Sequence, residues 1–224
     1  MDRAAGGEVR LPLRLAGELG LRVADARPHR GGCERHEVVV VADDPGVRLA
    51  HGHVVVFGLG MGWSAAASAL RPEVESVTVV EFGPAVIALH EALGIFAQLP
   101  PEARAKIRIV RGDAHAWMPD GPVDLLMPDI WLPLVSDGRV AEVRRMQAKV
   151  RAGAVYFWGQ EMEIARHAAL AGRDLDDDGI RATIADVDLL LIGPDMPGYA
   201  EKVRLAAQRP MRGRWLAGAS RAPK

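Results

Sequence analysis

The run Val54 to Ser64, Val-Val-Val-Phe-Gly-Leu-Gly-Met-Gly-Trp-Ser, constrains this chain more than any other stretch. Its four consecutive apolar residues are of β-forming type and suit a parallel strand covered on both faces. The strand then stops in alternating glycines, Gly58, Gly60 and Gly62, which let the backbone turn tightly and approach a ligand without Cβ obstruction. Ser64 to Leu70 follows with small residues of high helix propensity, so a helix starts close against the strand. Strand, glycine turn and helix predict the first half of a Rossmann-like, nucleotide-binding unit.

From Val54 onward, apolar runs alternate with helical stretches, the pattern of a parallel α/β sheet with crossovers. Strands are predicted at Val77–Val80, Ile107–Val110, Val123–Met127, Ala154–Trp158 and Val187–Ile192. Helices are predicted at Pro84–Leu93, Arg139–Val150 and Glu161–Ala171. Before the glycine strand, His36–Val41, the turn Asp43-Asp44-Pro45-Gly46 and Val47–Ala50 predict a β-hairpin, because Pro then Gly is the order of a type II turn. Residues 1–50 are thus expected to form an N-terminal extension, poorly patterned before Arg35. Residues 51–208 are expected to be the nucleotide-binding domain, and the Arg-rich residues 209–224 a mobile tail.

The chain of 224 residues carries 28 Lys and Arg against 29 Asp and Glu, so no global field recruits nucleic acid or an acidic membrane. Cys33 is the only cysteine, which excludes an intramolecular disulfide and a thiolate metal cluster within one chain. Charges at Asp2, Arg3, Glu8, Arg10 and Arg14 interrupt the N-terminus, and no stretch approaches a membrane span. A cytoplasmic protein without nucleic-acid or membrane partners is the expectation. The oligomeric state is left open, a homodimer included.

Three acids say which nucleotide is bound. Glu81 closes the second strand, where a carboxylate accepts hydrogen bonds from ribose hydroxyls; the alternative is a carboxylate favoured by the helix dipole before Pro84. Asp113 ends the third strand in Arg-Gly-Asp-Ala, placed either to accept from an adenine amino group or to cap the following turn. Asp129 follows the fourth strand and suits a base or acceptor-orienting group, or a turn cap before Pro133. A dinucleotide fingerprint requires a third glycine where Trp63 stands, which argues against NAD.

Residues Val38 to Gln160 resemble class I S-adenosylmethionine-dependent methyltransferases, and among these are most similar to the spermidine synthase family. The resemblance rests on VVVFGLGMG, VTVVEFGPAV, IRIVRGDA, VDLLMPD and KVRAGAVYFWGQ, in that order. It implies a sheet of about seven strands with helices on both faces and S-adenosylmethionine as cofactor. Gly58, Gly60, Gly62, Glu81, Phe82, Asp113, Ala114 and Asp129 would hold that cofactor, with Asp129 as catalytic residue. Trp63 and Trp131 are expected in the substrate pocket, with Met61 and Met127 either joining them or packing in the core.

The family's acid-glycine pair after the loop is here Gly62-Trp63, and the second acid of its D-x-x-D-P falls on Leu132. Methyl transfer to a small-molecule acceptor is therefore expected over aminopropyl transfer, with a non-catalytic nucleoside- or partner-binding relative as the third reading. His115 and Glu161 are weaker candidates for a base. Asp174 to Gly179 opens like a calcium loop, but Ala185 stands where a bidentate Glu is required, so an acidic turn before a strand at Ile180–Ala185 is expected instead. The seven histidines show no metal-ligand spacing, and no metal site is expected.

Overall fold

Alternation along the central strands decides the architecture. In the computed structural model, which describes residues 44–208 and 215–218, the glycine strand β1 (Gly52–Phe57) is buried from Val54 onward. Val55 and Phe57 face one core, with Leu126, Val155 and the helices that follow; Val54 and Val56 face the other, with Val77, Val79 and Leu125. A strand apolar on both faces needs cover on both sides, so the sheet is wound doubly.

Five parallel strands form it: β1, β2 (Val74–Glu81), β3 (Ile107–Arg111), β4 (Leu125–Pro128) and β5 (Ala154–Val155), in the order β3-β2-β1-β4-β5. Helix α1 (Pro45–Arg48) precedes β1. Helix α2 (Trp63–Ala69) covers the second face with Ala65, Ala66 and Ala69, whose small side chains let it lie close. The crossover from β2 to β3 carries α3 (Pro84–Leu93) and α4 (Pro101–Ala105). The first face is covered by α5 (Arg139–Val150), α6 (Gln160–Leu170), α7 (Asp177–Val187) and α8 (Tyr199–Gln208). Trp215, within the expected tail, packs partly buried against that same core.

The expected helices at Pro84–Leu93 and Arg139–Val150 form with those bounds. Three expectations are corrected. The second strand of the hairpin is instead α1: Asp44 accepts the Val47 N–H at 3.2 Å and Pro45 occupies the first turn, so Asp-Pro works as a helix start and not as a turn. The hairpin's first strand, at His36–Val41, lies outside the described residues, as do residues 1–35, 209–214 and 219–224.

Ile180–Ala185 is helical within α7, where Ile180, Thr183 and Val187 are buried on one face and Asp176 caps the start by accepting the Gly179 N–H at 2.8 Å. Val187–Ile192 is not a strand; the left-handed Asp188 ends α7, and the chain meets the sheet only at the bridge between Val155 and Leu191. Among the described residues the sheet thus has five strands and not seven. None of the described helices is long and apolar enough to cross a membrane.

Candidate functional site

The sheet order reverses at β1, whose neighbours β2 and β4 carry the chain away in opposite directions. A crevice opens at the C-terminal strand ends at such a point. The glycine loop leaves β1 there, and Asp129 leaves β4 beside it, its N–H donating to the Phe57 carbonyl at 2.7 Å. Gly58, at φ +95°, is pressed against that neighbour, for a Cβ would run into the Asp129 carbonyl oxygen. Gly60, at φ +48°, has open space where its Cβ would be. Gly62 caps α2 over the buried His90 ring, which packs at a tilt on Phe96 with centroids 4.2 Å apart; burial holds His90 below its ordinary value.

A cavity of about 230 Å³ lies over this loop. Its walls are the glycine loop from Gly58 to Met61, the first turn of α2 with Trp63, and Val56, Asp44, Asp129 and Trp158. A larger open depression, of about 500 Å³, lies at Met118–Pro122 and the end of α5, away from the glycine loop.

Glu81 faces the loop from the end of β2. One oxygen accepts the Leu59 N–H at 2.9 Å and the other the Gly83 N–H at 2.6 Å, so this side chain braces the turn while each oxygen keeps further acceptor capacity. Phe82, next to it, is 74% exposed. Asp113 is exposed and accepts the His115 N–H at 2.9 Å, the turn-capping arrangement, and the Ala114 side chain is buried in the core.

Asp129 opens on the cleft, yet the walls around it and the Asp44 carboxylate push its carboxyl up to about 6, against the pull of Arg139. Asp44 is itself raised by burial, although the Val47 and Gly46 N–H groups favour its charged form. Behind them Glu161, 9% exposed, is pushed up to about 7, chiefly by burial. It accepts from the Tyr156 hydroxyl at 3.4 Å.

Of the two tryptophans expected in a pocket, Trp63 lines the cavity, and its buried indole N–H has no partner. Trp131 does not line it: its indole N–H donates to Glu142 on α5 at 2.8 Å, and the Arg139 guanidinium stacks on its ring at 3.9 Å. His115 likewise lies outside the cavity, 3.3 Å from Glu142. His53, one of the close histidine pair, bonds the Pro122 carbonyl and Thr78 at the start of β1.

Three contributors escape a reading of the sequence. Asp44 reaches the cavity from α1, and its signal was the Asp-Pro helix start. Trp158, 45% exposed, enters from just beyond β5, where the backbone still pairs with β4 through the Trp158 N–H and the Pro128 carbonyl at 3.0 Å. Arg139, fully buried, donates to the carbonyls of Pro133 at 2.9 Å and Trp158 at 3.2 Å, tying the segment after β4 to that after β5. Arg166 bridges Glu163 and Asp137, and Glu163 accepts the Ser136 N–H at 3.0 Å, holding the same segment from α6. Among the described residues no group of three or more His, Cys, Asp or Glu side chains is arranged to hold a metal ion.

No protein-family model matches the sequence, and no curated protein matches it. Solved structures give partial likenesses. DhpI in complex with SAH is 21% identical over 48% of this chain and 48% of its own, at a TM-score of 0.36. The glycopeptide N-methyltransferase MtfA complexed with S-adenosyl-L-methionine is 24% identical over 46% and 42%, at 0.35. The methyltransferase domain of bacterial CtHen1 is 15% identical over 54% and 61%, at 0.40. The match spans about half the length of the first two of these chains, and the fold is defined by this chain's own sheet order.

Proposed function

We propose that this chain is a class I S-adenosylmethionine-dependent methyltransferase acting on a small-molecule acceptor. The observation that carries the reading is the glycine loop at the switch point of the sheet, with Glu81 on one side, Asp129 on the other and a cavity over it. The residues fit the cofactor: Gly60 leaves room for close backbone approach. Gly58, Gly60 and Gly62 would face the amino-acid tail. Glu81 would take the ribose hydroxyls with oxygens already aligned by the Leu59 and Gly83 N–H groups, and Phe82 would cover the nucleoside. Asp113 would meet the adenine with its remaining acceptor capacity and Ala114 with its backbone alone, since its methyl is buried.

When bound, S-adenosylmethionine supplies an electrophilic methyl group. This chain supplies position and a proton acceptor: Asp129, its carboxyl raised to about 6, is suited to take a proton from an acceptor in the cleft. Within the superfamily the spermidine-synthase-like scaffold remains the nearer resemblance in sequence. Leu132, standing where that family has its second acid, is fully exposed to solvent, which favours methyl over aminopropyl transfer. An open cavity beside Trp63 favours a working site over a plugged, non-catalytic relative.

Calorimetric titration with S-adenosylhomocysteine, methylthioadenosine and NAD tests the reading. S-adenosylhomocysteine is expected to bind, and Glu81→Ala to abolish that binding. A chain that ignores both S-adenosylmethionine and S-adenosylhomocysteine is not a methyltransferase.

A further inference from the structure

Helix α3 is held to the rest of the domain by two inward side chains. Of its ten residues only Ile87, half-buried, and His90, 4% exposed, turn inward, and Val86, Leu89 and Leu93 are left exposed. Ile87 packs on the apolar core beneath the helix. His90 reaches the glycine loop instead: a Cβ on Gly62 would strike its Nε2 and the ring of Phe96, so the two rings fill the place that a side chain at position 62 would take. Gly62, at φ +74°, is where the loop turns into α2, so the imidazole packs on the loop at the point that sets the direction of that helix.

The contact suits an uncharged ring. Its Nε2 is buried and no protein group bonds it. Among the described residues, the segments that meet the ring, Gly62-Trp63 at the start of α2 and Ile95 to Gln98 around Phe96, carry no acid or base. The charged group acting on His90 is Glu91, its neighbour on α3 itself, and burial outweighs that attraction. A proton on the ring therefore meets no counter-charge across the contact, and an unpaired buried charge is costly.

We infer that His90 is a positioning residue for the glycine loop and an acid-sensitive latch: the uncharged ring, set with Phe96 against Gly62, holds α3 and the loop together, and protonation of the ring releases them. Above the ordinary imidazole value of about 6.5 the ring is uncharged whether α3 is docked or open, and docking carries no penalty. As pH falls below that value the open form takes up a proton that the docked form disfavours, so docking weakens. A helix with so few inward side chains opens locally before the domain unfolds. The latch rests on the fold alone, and only its effect on a bound nucleoside rests on the methyltransferase reading.

Hydrogen exchange of the α3 amides tests it, measured on the full chain at about pH 7.5 and about pH 5.5 and corrected for the intrinsic pH dependence of exchange. Wild-type protection is expected to fall about fivefold over that span, against a ceiling of about tenfold for one histidine. His90→Phe keeps an aromatic ring and cannot titrate, and its α3 protection is expected to change less than twofold. His90→Gln, polar and equally unable to titrate, is expected to do the same and guards against a misfit of the larger ring; melting curves at the higher pH check that both variants fold. S-adenosylhomocysteine affinity, by calorimetry, is expected to drop at least threefold more in wild type than in His90→Gln over the same span. Wild-type α3 protection that ignores pH overturns the inference, and so does an equal fall in wild type and both variants. A wild-type fall that both variants abolish, without S-adenosylhomocysteine binding at either pH, supports the latch and sinks the cofactor reading instead.

Discussion

Gly58 and Gly60 are two residues apart and are glycine for different reasons. At Gly58 the left-handed φ and the Asp129 carbonyl act together, and neither backbone can retreat, so Gly58→Ala is expected to destabilise by about 3 kcal/mol or more. At Gly60 there is open space, and Gly60→Ala is expected to cost only about 1 kcal/mol of conformational strain while placing a methyl where a ligand approaches. Urea denaturation of both variants separates the two, and a Gly60→Ala protein less stable than Gly58→Ala would contradict it. Glu161 gives a pH signature. Its folded value of about 7 lies above its ordinary 4.5, so the native state holds the proton more tightly. Its burial is therefore free of penalty below about pH 4.5, grows costly through pH 4.5–7 and carries the full penalty above. Glu161→Gln is expected to raise stability by on the order of 1–3 kcal/mol at pH 8 and hardly at all near pH 4.5, read from thermal melts across that range.

At the scale of elements, the site's far wall depends on two segments that are not regular structure, Asp129–Gly138 after β4 and Tyr156–Gly159 after β5. Arg139 joins them through carbonyls of both, stacked on Trp131, and Gly159 packs so closely that a Cβ there would strike the Leu134 carbonyl. A lysine ammonium cannot reach several carbonyls in a plane and stack on an indole together. Arg139→Lys is expected to lower stability by about 2–3 kcal/mol, measured as a shifted urea midpoint, and to weaken ligand binding in step. Unchanged stability would mean the two segments are held by Glu163 and Arg166 alone. Trp131, expected in the substrate pocket, is a structural part of this clamp; its neighbours in space, Arg139 and Glu142, are invisible from its neighbours in sequence.

For the whole molecule, the cavity is framed by strand ends and by α1, so a ligand in it ties the two sheet halves and the residues before β1 together. S-adenosylhomocysteine at a hundred times its Kd is expected to add about 2.7 kcal/mol to stability, and for a domain of this size to raise Tm by roughly 5–10 °C. A thermal shift measured with and without it checks this. The same shift should vanish in Glu81→Ala.

The sequence by itself determined the doubly wound sheet, since runs such as Val54–Phe57 and Val77–Val80 are apolar on both faces and have no other stable use. It also placed the glycine turn and two helices with their bounds, because capping and periodicity are local signals. It did not show that Asp44-Pro45 starts a helix, since Asp, Pro and Gly serve a turn and a helix start equally until the surroundings choose. Nor did it separate Trp63, on the cavity, from Trp131, under Arg139. Tertiary structure alone decided which carboxylates meet: Asp44 and Asp129 are far apart in the chain and face one cavity because β1 and β4 are neighbours in the sheet. Local pattern specifies elements, and adjacency across a crossover is a property of the packed sheet.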